Sequence, residues 1–271
     1  MSTTAVIAPT SSDEARRRLL HVKQHLLMSK VTPALDHIVA KTGSRSGCLL
    51  SLESHALASA VEAWFEKGDL SATKSWAYNC GRLHLIWTME NMETHSPAAR
   101  VLNLLMPLVS DHSLLIERYA HLDQAFDPKR RDSTTTLDFL SYQSLLALRG
   151  DWLNLIYRCE EVLAHPPRTA SLNKYLLDQH FYLALAKSDK SSMEGVLHEL
   201  VSTKCLRGRQ NDESGFTRDL ISTYAVIYAK LAQRHGHKIS INSPLVPDPW
   251  IPIAPLASYT DSYPFMEAIP V

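Results

Sequence analysis

Glycine is scarce in this 271-residue chain, at nine residues. Strand-like alternation of apolar and polar residues is almost absent before residue 238. A chain poor in its most permissive turn residue and in period-two patterning does not build a sheet-based fold. Cysteine is thin as well. Cys48, Cys80, Cys159 and Cys205 are scattered, with no C-x-x-C pair and no histidine at zinc spacing, which excludes a zinc ribbon and a disulfide scaffold and fits reduced, buried thiols. Net charge is missing too. Lys plus Arg and Asp plus Glu number 28 each, so the whole chain has no electrostatic pull toward nucleic acid or a membrane. No apolar run approaches the roughly 18 residues of a membrane helix; the longest, Val101 to Val109, is interrupted by Asn103 and Pro107. Met1 to Ser12 has no apolar core of a secretory signal, which predicts a cytosolic protein with a flexible tail over residues 1–12.

The motifs of common chemistry are also missing. There is no phosphate-binding G-x-x-x-x-G-K or G-x-G-x-x-G, no G-x-S-x-G elbow, and no cysteine beside an evident base. Thirteen histidines invite a metal reading. His21 and His25 stand four apart on a helix, but no glutamate follows the first and no third ligand offers itself, so they read as surface side chains. His235 and His237 sit at a helix C-terminus, where a cation suits the dipole. Asp111-His112 starts a helix, with aspartate as its N-cap. Two basic clusters, Arg16-Arg17-Arg18 and Lys129-Arg130-Arg131, are each flanked by acids and lack interleaved aromatics, so they read as solvated faces. No catalytic, cofactor or metal residue can be named, and the chain is not expected to be an enzyme.

What is present is helical periodicity. Ser11-x-x-Glu14 predicts a capped helix through Leu19, Leu20, Val22 and Leu26. Others are expected near Ser51 to Phe65, from a Ser71 cap through Trp76 to Trp87, near Ala98 to Val109, and from Ser113 to Leu122. Asp127 to Asp132 reads as a charged loop. The middle is most regular. Leu137 to Leu148 turns at Gly150 into a helix opened by Asp151, whose stripe is Trp152, Leu155, Ile156, Cys159, Val162 and Leu163. Leu172 to Ala186 turns into a second such helix, boxed by Ser191 and Glu194. These are consecutive antiparallel hairpins with a period of roughly 37 residues, in the range of helical solenoids, though the tetratricopeptide signature is not met. A last helix is expected from Phe216 to Gly236, with Ala225, Ala229 and Ala232 leaving one side open to a close neighbour.

Then the character of the chain changes. Half of its fourteen prolines lie between Pro244 and Pro270. Proline fixes φ and donates no hydrogen bond, so this stretch is neither helix nor central strand. Ile, Leu, Val, Trp and Tyr alternate with the prolines, unlike a solvated tail. Residues 238–271 therefore read as an extended arm laid on a helical domain of residues 13–237, with Ile239 and Ile241 beginning it as a short strand. The expected fold is all-α: stacked antiparallel helical hairpins, repeat-like, with a proline-rich C-terminal arm. Six acids, Glu62, Glu66, Asp69, Glu160, Glu161 and Glu194, fall near hairpin turns or on outer faces. They read as charged surface or, in a sharper reading, as a patch that steers a basic partner.

From Tyr224 to Phe265 the sequence carries Tyr-Ala-Lys-Leu-Ala, then Lys-Ile-Ser-Ile-Asn-Ser-Pro-Leu-Val-Pro, Ile-Pro-Ile-Ala-Pro-Leu and Tyr-Thr-Asp-Ser-Tyr-Pro-Phe. This string resembles the C-terminal signature of immunity family forty-nine, among the immunity proteins of bacterial polymorphic-toxin and type VI secretion systems. The resemblance implies a non-catalytic antitoxin that binds a cognate toxin effector acting in the cytosol and covers its active site or substrate path, without cofactor, nucleic acid or membrane. The competing readings are a helical-repeat adaptor or chaperone that grips peptide segments and, more weakly, a helical hydrolase.

Overall fold

Many of the helices open where a side chain accepts one of the first free N–H groups, as Ser12, Ser44, Asp69, Asp127, Thr136, Asp189 and Ser202 do. The computed structural model describes residues 12–91, 101–269 and 271. Its α-helices there are α1 (Asp13–Met28), α2 (Val31–Ala40), α3 (Arg45–Phe65), α4 (Leu70–Glu90), α5 (Leu105–Ser110), α6 (Ser113–Ala120), the single turn α7 (Pro128–Arg131), α8 (Leu137–Arg149), α9 (Trp152–Ala164), the single turn α10 (Ala170–Asn173), α11 (Leu176–Ala186), α12 (Lys190–Leu200), α13 (Thr203–Arg209) and α14 (Thr223–Arg234). The described residues hold no strand, and the fold is all-α.

Several helix ends differ from the sequence expectation, each for a local reason. Ser12, not Ser11, caps α1 by accepting from Ala15 N. Asp69, not Ser71, caps α4, and Asp189, not Ser191, caps α12 through Ser192 N. In the last two cases a carboxylate lay just upstream of the serine and took the cap. The span Asp127 to Asp132 is a helical turn rather than a loop, opened by Asp127 and proline at N1. Helix α2 was not foreseen at all. Of the helix expected over Ala98 to Val109, residues 98–100 lie outside the described residues, Val101 and Leu102 are helical, and a turn at Asn103 and Leu104 separates them from α5, which begins at Leu105.

The packing order follows the chain. α3 lies along α4, with α1 and α2 on its other flanks, and α4 continues onto α5 and α6. Farther on, α8 meets α9, α9 meets α11, and α11 meets α12, while α14 is packed by both α5 and α12. Gly81 permits one of these approaches: a Cβ there would stand 3.0 Å from both Leu115 and Pro107. Gly150 makes the α8–α9 turn at φ +72°, in the left-handed region that favours glycine. One continuous apolar core results. It runs from Leu49, Leu52 and Val61 through Leu83 and Val109 to Leu155, Met193, Tyr228 and Trp250. Each such side chain contributes about 1.5–3 kcal/mol of burial.

The last helix is shorter than its apolar spacing indicates. Phe216 to Leu220 form turns, and Asp219 has φ +69°. Arg18, from the N-terminal basic cluster, donates to the carbonyls of Gly215 (2.7 Å) and Arg218 (3.1 Å) and pairs with Asp219, which ties down the carbonyls a helix would use. Glu213 then accepts from Thr223 N at 3.1 Å and starts α14 at Thr223. The strand expected at Ile239 and Ile241 does not form. Residues 237–243 run without a ladder partner, with Ile241 buried, and Ser240 N donates to Glu194 at 2.9 Å.

Candidate partner-binding surface

Residues 238–269 contain no α-helix, yet several of their side chains and backbone groups are held by the helices. Trp250 is fully buried, edge-on to Trp64 at 6.0 Å and Phe65 at 6.3 Å. Asn79 of α4 uses both ends of its amide, donating to Thr260 O at 3.1 Å and accepting from Ser262 N at 2.7 Å. Arg82, one turn from Tyr78 on α4, pairs with Asp261 and donates to Met266 O. Tyr263 OH meets His55 Nδ1 at 2.8 Å.

At the centre of this docking lies a charge cluster that the sequence did not reveal. Asp111 is not an N-cap. It ends α5 at φ +61°, and His112 caps α6 by accepting from Leu115 N. The Asp111 carboxylate is buried and takes Lys74 Nζ at 2.7 Å, Lys230 Nζ at 2.5 Å and Ala254 N at 3.2 Å. Lys74 also donates to Ala254 O, and Lys230 to Pro252 O. Loss of water pulls the Lys230 amine down to about 8, against the favourable pull of Asp111. The cluster joins α4, α5, α14 and the C-terminal residues. Its groups bond to one another and to the arm's backbone, and so hold the fold together there. Two of the four thiols are buried: loss of water pushes Cys159 up to about 12 and Cys80 well above its ordinary value, while Cys48 and Cys205 are half-buried.

The histidines fall into packing roles. His21, exposed, and His25, half-buried, both stand on the Phe216 ring, at 5.6 and 4.7 Å, as surface side chains packed on an aromatic edge. His235 lies edge-on to Trp152, and its ring nitrogen meets Ala147 O at 2.7 Å, fixing the end of α8. Among the described residues no group of three or more His, Cys, Asp or Glu is placed to hold a metal ion. The basic clusters carry acids of their own. Arg16 pairs with Asp13, Arg17 with Glu14, Arg130 with Asp138 and Arg131 with Asp132.

The six acids separate into two groups. At the α3–α4 corner, Glu62 pairs with Lys67 at 2.6 Å, Glu66 pairs with Lys23 at 2.6 Å, and Asp69 caps α4. Beside them a groove of about 540 Å³ runs between α1, α3 and α4, lined by Leu26, Leu27, His55 and Trp76. On the other group, Glu194 of α12 is taken by Ser240 N and lies 3.6 Å from Lys190. Glu160 on α9 pairs with Lys187 at 2.7 Å across an exposed gap. Glu161 is exposed and makes no salt bridge among the described residues.

Helix α9 has a further feature that charge counting overlooked. Its inner stripe, Leu155, Cys159 and Val162, has no exposure at all. On the outer stripe Leu153 is 84% exposed and Tyr157 68% exposed, one turn apart and leading into Glu160 and Glu161. An amphipathic helix ordinarily places polar groups where these two apolar side chains stand. The signal was in the sequence, as two large apolar residues outside the buried stripe.

Among the described residues no helix is long and apolar enough to cross a membrane. No curated protein and no solved structure matches the chain. The sequence model of one family, Immunity protein 49, matches residues 110–250, just over half of the chain. The match begins at the buried α5–α6 junction, runs through α9 and α14, and ends at Trp250, so the likeness extends well upstream of the Tyr224–Phe265 string. The chain belongs to the Immunity protein 49 family.

Proposed function

We propose that this protein is a non-catalytic antitoxin that binds the toxin domain of a cognate secreted effector and covers its active site or substrate path. The observation that carries the reading is membership of an immunity family. The interior supports it. The polar pins at Asp111, Asn79 and Arg82 fix the C-terminal arm to the helices. A stack of helical hairpins locked in this way loses little conformational entropy on association. In this reading residues 13–237 are the binding body and residues 238–271 are a strap that holds it rigid. The effector belongs to the polymorphic-toxin or type VI class and acts in the cytosol, where the antitoxin meets it.

The test is co-expression with the C-terminal toxin domain of the effector encoded beside this gene, in a sensitive host. Growth rescue, together with co-elution of the two purified proteins as one complex, is the expected result. Absence of both rescue and co-elution would overturn the reading. Rescue without a complex would point instead to chemistry on the toxin or on its product.

A further inference from the structure

We propose that the outer ridge of α9, formed by Leu153, Tyr157, Glu160 and Glu161, is the surface that seats the toxin, and that its seat is an apolar pocket rimmed by Lys or Arg. The inference rests on the immunity reading and adds where the toxin binds and what chemistry it presents.

Position singles the ridge out first. Large apolar side chains are also bare on α1, where Leu27 and Met28 are 87% and 78% exposed. Those residues precede the family-matched span, whereas α9 lies within residues 110–250. Their neighbours in the groove include Lys23 and Lys67, so that face carries both signs of charge. The α9 ridge also meets a lysine, Lys187 at Glu160, but its own side chains are graded. It is apolar over its first two turns and acidic over its last two.

Helix electrostatics gives a second, independent argument. The C-terminal end of a helix is the negative pole of its dipole, and basic side chains belong there. Helix α9 has no basic residue in its last turn, and it carries Glu160 and Glu161 close by. Lys187 answers Glu160, and nothing among the described residues answers Glu161. Two acids at the wrong pole, beside exposed leucine and tyrosine, form a surface at odds with folding alone. A cationic partner removes the conflict. Its Lys or Arg groups meet the acids and the negative pole together, while Tyr157 and Leu153 fill the pocket between them. Tyrosine is among the residues that most often dominate binding energy, because it brings large area with few rotors. The acids then steer encounter more than they tighten the complex.

The ridge is also separable from the fold. Leu155, Cys159 and Val162 on the opposite side carry the packing of α9, so the ridge can be altered with the core untouched. The full-length protein is titrated calorimetrically against the catalytically inactivated toxin domain encoded beside it. Tyr157→Ala is expected to raise Kd at least tenfold. The double change Leu153→Asp with Tyr157→Asp is expected to abolish both binding and growth rescue, with thermal midpoint and circular dichroism unchanged. Glu161→Gln is expected to slow association and flatten its salt dependence. Val39→Asp, at an exposed apolar site on α2, is the control and should leave Kd within twofold.

If the double variant binds within threefold of the parent, the ridge is overturned while the immunity reading stands. If the parent itself neither binds nor rescues, the immunity reading falls and takes the ridge with it. A parent dimer that the double variant splits into monomers, with toxin affinity unchanged, would make the ridge a self-contact and overturn the proposal.

Discussion

Asp111 and Glu161 are both carboxylates on one helical body, and the molecule uses them in opposite ways. Asp111 is stripped of water and shared between Lys74, Lys230 and the backbone of Ala254. Glu161 stands in solvent with no ion pair among the described residues. Removing a partner from a buried ionic cluster strands the remaining charges in a medium that cannot solvate them, whereas an exposed charge is screened and worth little to the fold. The difference separates the two tasks. Charge inside this protein fixes the C-terminal residues to the helices, and charge outside is free to meet another molecule.

The widest gap is expected from Asp111→Asn. Asparagine keeps the left-handed backbone at φ +61° and nearly the same shape, so the change isolates the charge. It leaves two buried lysines facing an amide and is expected to cost about 3–5 kcal/mol of stability, read as a drop in urea midpoint. A loss under 1 kcal/mol would mean that water reaches the cluster and that the contrast with Glu161 is false.

The pH dependence comes next. The Lys230 amine is pulled down to about 8 when folded, from an ordinary value of 10.5. Between those two values the unfolded chain binds more protons than the folded one, so stability rises with pH. Relative to Lys230→Met, the parent is expected to gain roughly 2 kcal/mol between pH 7 and pH 9.5 in denaturant titrations. A flat difference would show that Lys230 titrates as an ordinary surface amine.

The outer half of the contrast was far more legible in the sequence than the inner half. Helix α9 and its buried stripe follow from 3.6-residue spacing, and Leu155, Cys159 and Val162 lie where that spacing puts them. Local rules carry such an element because all its determinants lie within a few turns. Asp111 depends on partners 37 and 119 residues away, and so it looked like a cap for the helix that follows it. The start of α14 was misplaced for the same reason. The apolar spacing from Phe216 is helical, but Arg18, some 200 residues upstream, binds the carbonyls that a helix would need. The six acids were visible as charges, while which of them were already spoken for was not. Glu62, Glu66, Asp69, Glu160 and Glu194 have partners inside the molecule, and only the packing shows it.

The α3–α4 corner sits between the extremes and sharpens the scale. Asp69 accepts from Ala72 N at 2.9 Å, so Asp69→Ala is expected to remove about 1 kcal/mol, as for a lost N-cap. Glu66→Gln breaks an exposed pair with Lys23 and should change stability by less than about 1 kcal/mol. A loss from Glu66→Gln larger than that from Asp69→Ala, by thermal or urea unfolding, would mean the corner pairs hold the fold more firmly than screened surface pairs do.

The smallest expected change in stability has the opposite sign. Glu161→Lys replaces a wrong-pole anion near the end of α9 with a cation, and is expected to stabilise the fold by about 0.3–0.5 kcal/mol. The same change sets a positive charge against a basic partner and is expected to slow association with the toxin domain, most strongly at low salt. The two readouts move in opposite directions only if Glu161 is retained for binding at the expense of folding. Should Glu161→Lys leave the toxin's association rate unchanged at low salt, the exposed carboxylate has no partner there, and the contrast with Asp111 reduces to burial alone.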